Sequence, residues 1–271
     1  MPARAAFLLL LVVPGCQCGD AVNRGDLNLV SLEDEWAMGD ELALEVAAQT
    51  TAHPDRAVQG YLDALGATLA RETQFADRPW AFTVLEDAAV NAFALPGGHV
   101  YVNSGLIAAA ESEAELASVV GHEVAHVAAR HSTERIAKAQ GVAFVAQLAL
   151  GNDPGFVRQL VAGLIGRGAI ARFSRTDELE ADRLGLGFMA EAGYDPAGMA
   201  AMFETLVELR ERRPMLFERW FQTHPLGEDR VEHALEAAAA VEGTPSRTEG
   251  AAFQDVRTII AGGGQPETGW P

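Results

Sequence analysis

The sequence predicts a mainly helical α+β domain in which a small β-sheet packs on one long, apolar helix. Three observations carry this. Alternating apolar residues bounded by turn formers are confined to residues 80–103. Helical spacing dominates on both sides of them, and one helical stretch, 113–130, is apolar almost all round. With 271 residues, 49% of them hydrophobic, the chain can build one sizeable core and no more than one large domain. A net charge of −18 argues against a nucleic-acid binder, which needs a basic surface.

The N-terminus has the layout of a targeting segment. Arg4 supplies the positive start, residues 5–13 are apolar but too few to span a bilayer, and Val13-Pro14-Gly15-Cys16 follows. That ending resembles a bacterial lipobox, which makes residues 1–15 a lipoprotein-type signal peptide and Cys16 the lipidated residue. Pro14 is uncommon in that pattern, so a plain signal peptide is the alternative. Gln17 directs such a lipoprotein to the outer membrane under the sorting rule of many Gram-negative bacteria. Cys16 and Cys18 are the only cysteines, so the folded domain is expected to hold no disulfide and no thiol nucleophile.

After a linker over residues 16–30, Ser31 is placed to cap a helix over 31–48. A second helix over 54–71 carries Tyr61, Leu62, Leu65 and Leu69 on one face. Residues 80–85 and 99–103 read as strands, the second following the Pro96-Gly97-Gly98 turn, with Asn91 to Ala94 as a short edge strand. His99 is read as an ordinary polar strand residue. The apolar runs 141–150 and 156–171 are too short or too interrupted to cross a membrane and are read as packing helices. Pro196 opens a helix to residue 212, residues 217–225 read as irregular and aromatic, and 229–241 closes a domain spanning 31–241. Residues 242–271, rich in Gly, Pro, Thr and Glu, are expected to form a flexible tail.

The chemistry begins at His122-Glu123-Val124-Ala125-His126. Residues four apart share a helix face, so both imidazoles can address one ion, and Glu123 can reach a water beside it. Unpaired polar groups are costly in so apolar a helix, and a metal would satisfy all three at once. A catalytic zinc needs a third protein ligand. Ser132 stands where a third histidine of the HExxHxxGxxH pattern would be, and His131 lies about 180° round the helix from His122, so His131 is read as a polar residue at the helix end. Downstream, Ser174 is a helix N-cap candidate, and Glu178 and Asp182 then share a face while Glu180 points away. Glu178 is therefore assigned as the third ligand and Asp182 as the acceptor that orients a ligating histidine. Ala181, Gly185 and Gly187 are small enough for this helix to approach the metal helix closely.

These residues, with Asn91-Ala92-Phe93-Ala94-Leu95-Pro96-Gly97-Gly98 upstream and Thr223-His224-Pro225 with Arg230 downstream, resemble metallopeptidase family 48 from about residue 31 to 240. The resemblance implies a gluzincin-like zinc endopeptidase. One Zn(2+) would be held by His122, His126 and Glu178, with Glu123 as general base. It adds His224, as a gate over the metal or a transition-state donor, and Arg230 to the catalytic residues, and it makes Asn91, Ala92 and Phe93 the strand that receives a polypeptide substrate. It further implies quality control of misfolded or unassembled periplasmic proteins by a lipid-anchored enzyme. No repeat follows the catalytic region, so no tetratricopeptide partner module is expected. A chaperone-like protein with minor proteolysis and a narrow processing protease are the alternatives.

Overall fold

The computed structural model describes residues 30–140, 173–225, 228–241 and 247–262. Cys16, the signal segment and the two apolar runs expected between residues 141 and 171 lie outside the described residues. Helix α1 (Leu32–Gln49) starts at Ser31, whose hydroxyl accepts from the Asp34 N–H, and α2 (Arg56–Ala70) starts at Asp55, whose carboxylate accepts from Ala57 and Val58. Each side chain satisfies backbone donors that the first helical turn leaves open.

Strands β1 (Ala81–Leu85), β2 (Ala92–Leu95) and β3 (His99–Asn103) form one sheet in the order β1-β3-β2, parallel between β1 and β3 and antiparallel between β2 and β3. A short 3-10 turn, Pro96–Gly98, joins β2 to β3, and Gly97 takes a φ of 77° there with its Cα against α1. A side chain would be strained at that φ, and its Cβ would meet Trp36 Cα at 2.8 Å. His99 pairs with Asp40 of α1 at 2.9 Å, in keeping with an ordinary polar role.

After α3 (Ser104–Ala109), α4 (Glu113–Ala128) is buried along its whole length. Ala92, Ala94, Val100 and Val102 of the sheet share its core with Leu116, Val120 and Val124 of α4. Helices α5 (His131–Gln140), α6 (Arg175–Glu191), α7 (Ala197–Arg212), α8 (Pro214–Thr223), α9 (Glu228–Ala239) and α10 (Ala251–Gly262) complete the described elements. The mainly helical α+β expectation therefore holds, with the sheet on the metal-motif helix. Among the described residues no helix is long and apolar enough to cross a membrane.

Three expectations need correction. The metal-motif helix ends at Ala128 rather than at residue 130, because Arg130 adopts a left-handed φ of 59° and turns the chain. The stretch expected to be irregular, 217–225, is largely the helix α8: Pro214 opens it with a preset φ, and Trp220 anchors it in the core at 1% exposure. The tail is not loose throughout. Composition averaged over residues 242–271 hides the spacing of Phe253 and Val256, which bury one face of α10 beside α2 and α3. Just upstream, Thr248 O accepts from the Ala114 N–H, satisfying a donor in the first turn of α4.

Candidate metal centre

Helices α4 and α6 build the site by crossing at Gly121 and Gly185. A Cβ on Gly185 would stand 2.9 Å from Gly121 C and from His122 N, so the contact is backbone on backbone. Gly187, expected to share this role, has no neighbour within 4 Å of its Cβ among the described residues. Ser174 and Asp177 form a reciprocal capping box that fixes the start of α6, and Asp177 directly precedes Glu178.

The crossing brings His122 Nε2 within 3.0 Å of His126 Nε2, and Glu178 Oε2 and Oε1 within 3.6 and 3.5 Å of those two nitrogens. Donors about 2.0–2.2 Å from one ion in a tetrahedral set stand roughly 3.3–3.6 Å apart. Hydrogen bonds on the far side of each ring fix what the near side offers. His122 Nδ1 lies 2.8 Å from Asp182 Oδ1, at ion-pair distance though outside hydrogen-bond geometry, and a ring protonated on Nδ1 keeps its lone pair on Nε2. His126 Nδ1 is likewise paired, 2.9 Å from His131 Nδ1. With His126 also protonated on Nδ1, two lone pairs and a carboxylate converge on one point, which a cation between them would satisfy. The residues fit a divalent metal ion.

His224, just past the end of α8, adds a fourth nitrogen: its Nδ1 is 3.3 Å from His122 Nε2 and 3.0 Å from Glu178 Oε1. The four ligand atoms of His122, His126, Glu178 and His224 lie within 4.8 Å of one another, and all four residues are buried. His224 Nε2 meanwhile lies 3.3 Å from Glu123 Oε1. Glu123 itself is fully buried, and among the described residues neither of its oxygens has a hydrogen bond of good geometry. Burial raises its pKa, while His224, His122 and the nearby Ala94 peptide of β2 pull it down by less. That peptide lies close enough to act electrostatically without meeting hydrogen-bond geometry.

Arg230 of α9 holds the two carboxylates of α6 together. Its Nε and one terminal nitrogen take Asp182 at 2.7 Å each, and the other terminal nitrogen takes Glu178 at 2.7 Å and the Pro225 carbonyl at 3.1 Å. Arg230, grouped with the catalytic residues from sequence, donates in the structure to Glu178 and Asp182. Burial pushes Asp182 up, but His122 and Arg230 outweigh it, and the group titrates below its usual range. In Glu178 burial is likewise outweighed, by His224, His126 and His122, to a value well below normal. Burial drives His126 well below the usual imidazole range, whereas in His224 the Glu178 and Glu123 charges overcome burial and raise it.

Ala92 and Phe93 lie in β2, the edge strand of the sheet, with Asn91 just before it and the Ala94 peptide beside Glu123. Asn103 N–H donates to Asn91 O, so in the antiparallel alternation Phe93 and Leu95 also face β3 while Ala92 and Ala94 present their peptides outward. The sequence reading missed three neighbours. Phe173 stacks on the His126 ring at 3.9 Å, Trp220 lies 4.7 Å from the His224 ring, and His131 joins His126 to Glu180. Phe173 sits next to the Ser174 cap, the one signal that could have found it.

A family model described as Peptidase family M48 matches residues 38–238. A putative beta-barrel assembly-enhancing protease of Vibrio cholerae is 31% identical over 260 residues, covering 88% of this chain and 52% of the relative. The mitochondrial metalloendopeptidase OMA1 of Schizosaccharomyces pombe is 32% identical over 217 residues, covering 77% and 62%. The metalloprotease LoiP of Escherichia coli is 27% identical over 233 residues, covering 85% and 88%. The chain thus spans between half and two thirds of the length of the first two. The family match runs from α1 to α9 and takes in the imidazole pair, the glutamate that meets it and the arginine that clamps that glutamate: the chain belongs to peptidase family M48, a family of metallopeptidases.

Proposed function

We propose that the protein is a zinc-dependent endopeptidase of misfolded or unassembled envelope proteins, held at the outer membrane of a bacterium by a lipid on Cys16. One observation carries the enzymatic part: His122 Nε2, His126 Nε2 and a Glu178 oxygen converge with Glu123 buried beside them. Two imidazoles and a carboxylate at these spacings suit zinc best among common ions. The chemistry such an ion supplies is Lewis acidity toward water and toward a scissile carbonyl. Glu123 takes the water's proton and passes it to the leaving amine.

The outward peptides of Ala92 and Ala94 bind substrate as an added strand, which supplies affinity with loose sequence preference. The Val90 N–H bond to Leu216 O, 2.9 Å, places the start of α8 at one end of that edge. His224, whose Nδ1 stands among the donors of His122 and Glu178, would hold the ion with them and would serve as a gate to substrate. Arg230 acts on catalysis by holding Glu178 and Asp182. The envelope role draws support from the names of the assembly-enhancing relatives and from the lipobox-like N-terminus.

The experiment is casein cleavage by the purified protein. Zinc-loaded wild type should cleave, a chelator should stop it, and Glu123→Gln should retain zinc while losing cleavage. Proteolysis that survives in that variant rejects the general-base assignment.

A further inference from the structure

Each imidazole of the metal pair needs its far nitrogen held, and the two are held by different means. For His122 the partner is a carboxylate in direct contact, Asp182 at 2.8 Å. For His126 it is another ring. His131 Nδ1 lies 2.9 Å from His126 Nδ1, and His131 Nε2 lies 3.3 Å from Glu180 Oε2. The direction of this chain is fixed at both ends. If His126 offers its Nε2 lone pair to a cation, its proton sits on Nδ1 and must be donated to His131 Nδ1. His131 then carries its own proton on Nε2 and donates it to the Glu180 carboxylate, which can only accept.

We infer that His131 and Glu180 are positioning residues for the metal centre, a two-step relay that fixes the tautomer and ring orientation of His126. The inference rests on the metal-binding reading above.

Continuation of α4 would not have produced this contact, because five residues on from His126 lie about 140° round a helix. The left-handed turn at Arg130 brings His131 back onto the metal face. That turn is itself held from a distance: the Arg130 guanidinium donates to Glu35 of α1 and to the Val30 carbonyl. His131 is 2% exposed and Glu35 fully buried, so ring and turn are both built into the core. Glu180, on α6, lies at its rim, with 23% of its side chain exposed. It faces away from Glu178 along α6, which leaves Glu178 to the ion and Glu180 to the relay.

The test is zinc affinity, measured by refilling the chelator-stripped protein with zinc alone against a chromogenic competitor. His131→Phe keeps an apolar ring but no acceptor, and its affinity should fall roughly 10–100-fold, the usual loss when such outer partners are removed. His131→Gln can accept from His126 and donate to Glu180, and should restore most of that loss. Glu180→Ala should weaken zinc by a smaller factor, and because its position is partly exposed it carries the test even if His131→Phe does not fold. In the stripped wild type, nitrogen NMR of the imidazoles should show His126 protonated on Nδ1, and in Glu180→Ala that preference should relax. Wild-type affinity in His131→Phe or in Glu180→Ala overturns the relay, as does a His131→Gln protein no better than His131→Phe. A wild-type protein that takes up no zinc defeats the metal reading itself, an outcome distinct from intact binding that the variants leave untouched.

Discussion

Adding one methyl group at Gly185 tests whether the helix crossing sets the metal geometry. The new Cβ would stand 2.9 Å from Gly121 C and His122 N and 3.0 Å from Gly121 O. Carbon contacts settle at about 3.5–4.0 Å, so the two backbones must part by roughly 0.5–1 Å. None of the three atoms is the far end of a flexible side chain, so the strain has no cheap outlet. One belongs to His122, and Glu178 lies two turns earlier on the displaced helix. Ligand distances in a metal site tolerate only about 0.2 Å, so the shift should weaken zinc by roughly tenfold or more.

Overpacking of this kind costs about 1–3 kcal/mol, offset by up to about 1 kcal/mol of improved helix propensity. At about 2–4 °C per kcal/mol for a domain of this size, the Tm of stripped Gly185→Ala should fall by up to about 10 °C. Gly187→Ala is the internal control. Among the described residues nothing lies within 4 Å of its Cβ, so that variant should bind zinc normally and melt no lower than wild type. Calorimetry and the zinc competition assay read both quantities. A Gly185→Ala protein with wild-type Tm and wild-type affinity would refute the claim that backbone contact at this point sets the donor spacing.

Other outcomes follow from the same contacts. Arg230→Met removes three charge-assisted bonds from two buried carboxylates and should cost about 3–5 kcal/mol in thermal unfolding, with Arg230→Lys recovering only part because an ammonium lacks the fork. Asp182 has a depressed folded pKa, so the stability it contributes is present above its unfolded value of about 3.9 and lost as pH falls through the folded value. Arg230→Met takes away one lowering cause, so acid unfolding of the stripped protein should move to higher pH; an unmoved acid midpoint contradicts this. Phe253→Ala should destabilise the protein by about 3–5 kcal/mol in urea titrations, whereas a loose tail would give no change.

Where the sequence was legible, the controlling distances were those of a single helix. The four-residue steps from His122 to His126 and from Glu178 to Asp182 set which face each side chain occupies, and Asp182 does reach His122 at 2.8 Å. The Ser174 cap is equally local and reads from adjacent residues. Legibility stopped where a distant partner decides the backbone. Arg130 is an unfavourable residue for a left-handed φ, and nothing near it in sequence demands that turn; Glu35, 95 residues earlier, holds it. His131 therefore looked like a residue on the wrong side of a helix that in fact had already ended. The same distinction separates Gly185 from Gly187, alike in sequence and two positions apart, because only one lies on the line where α6 meets α4. Helix α10 carries the argument to the whole domain. Its apolar face is too short to announce itself, yet Phe253 is fully buried, and the preceding Thr248 caps a donor at the start of the helix that bears the imidazole pair. The motif in α4 thus names the chemistry, but its ends are finished by segments over a hundred residues apart, so the geometry of the site belongs to the fold rather than to the motif.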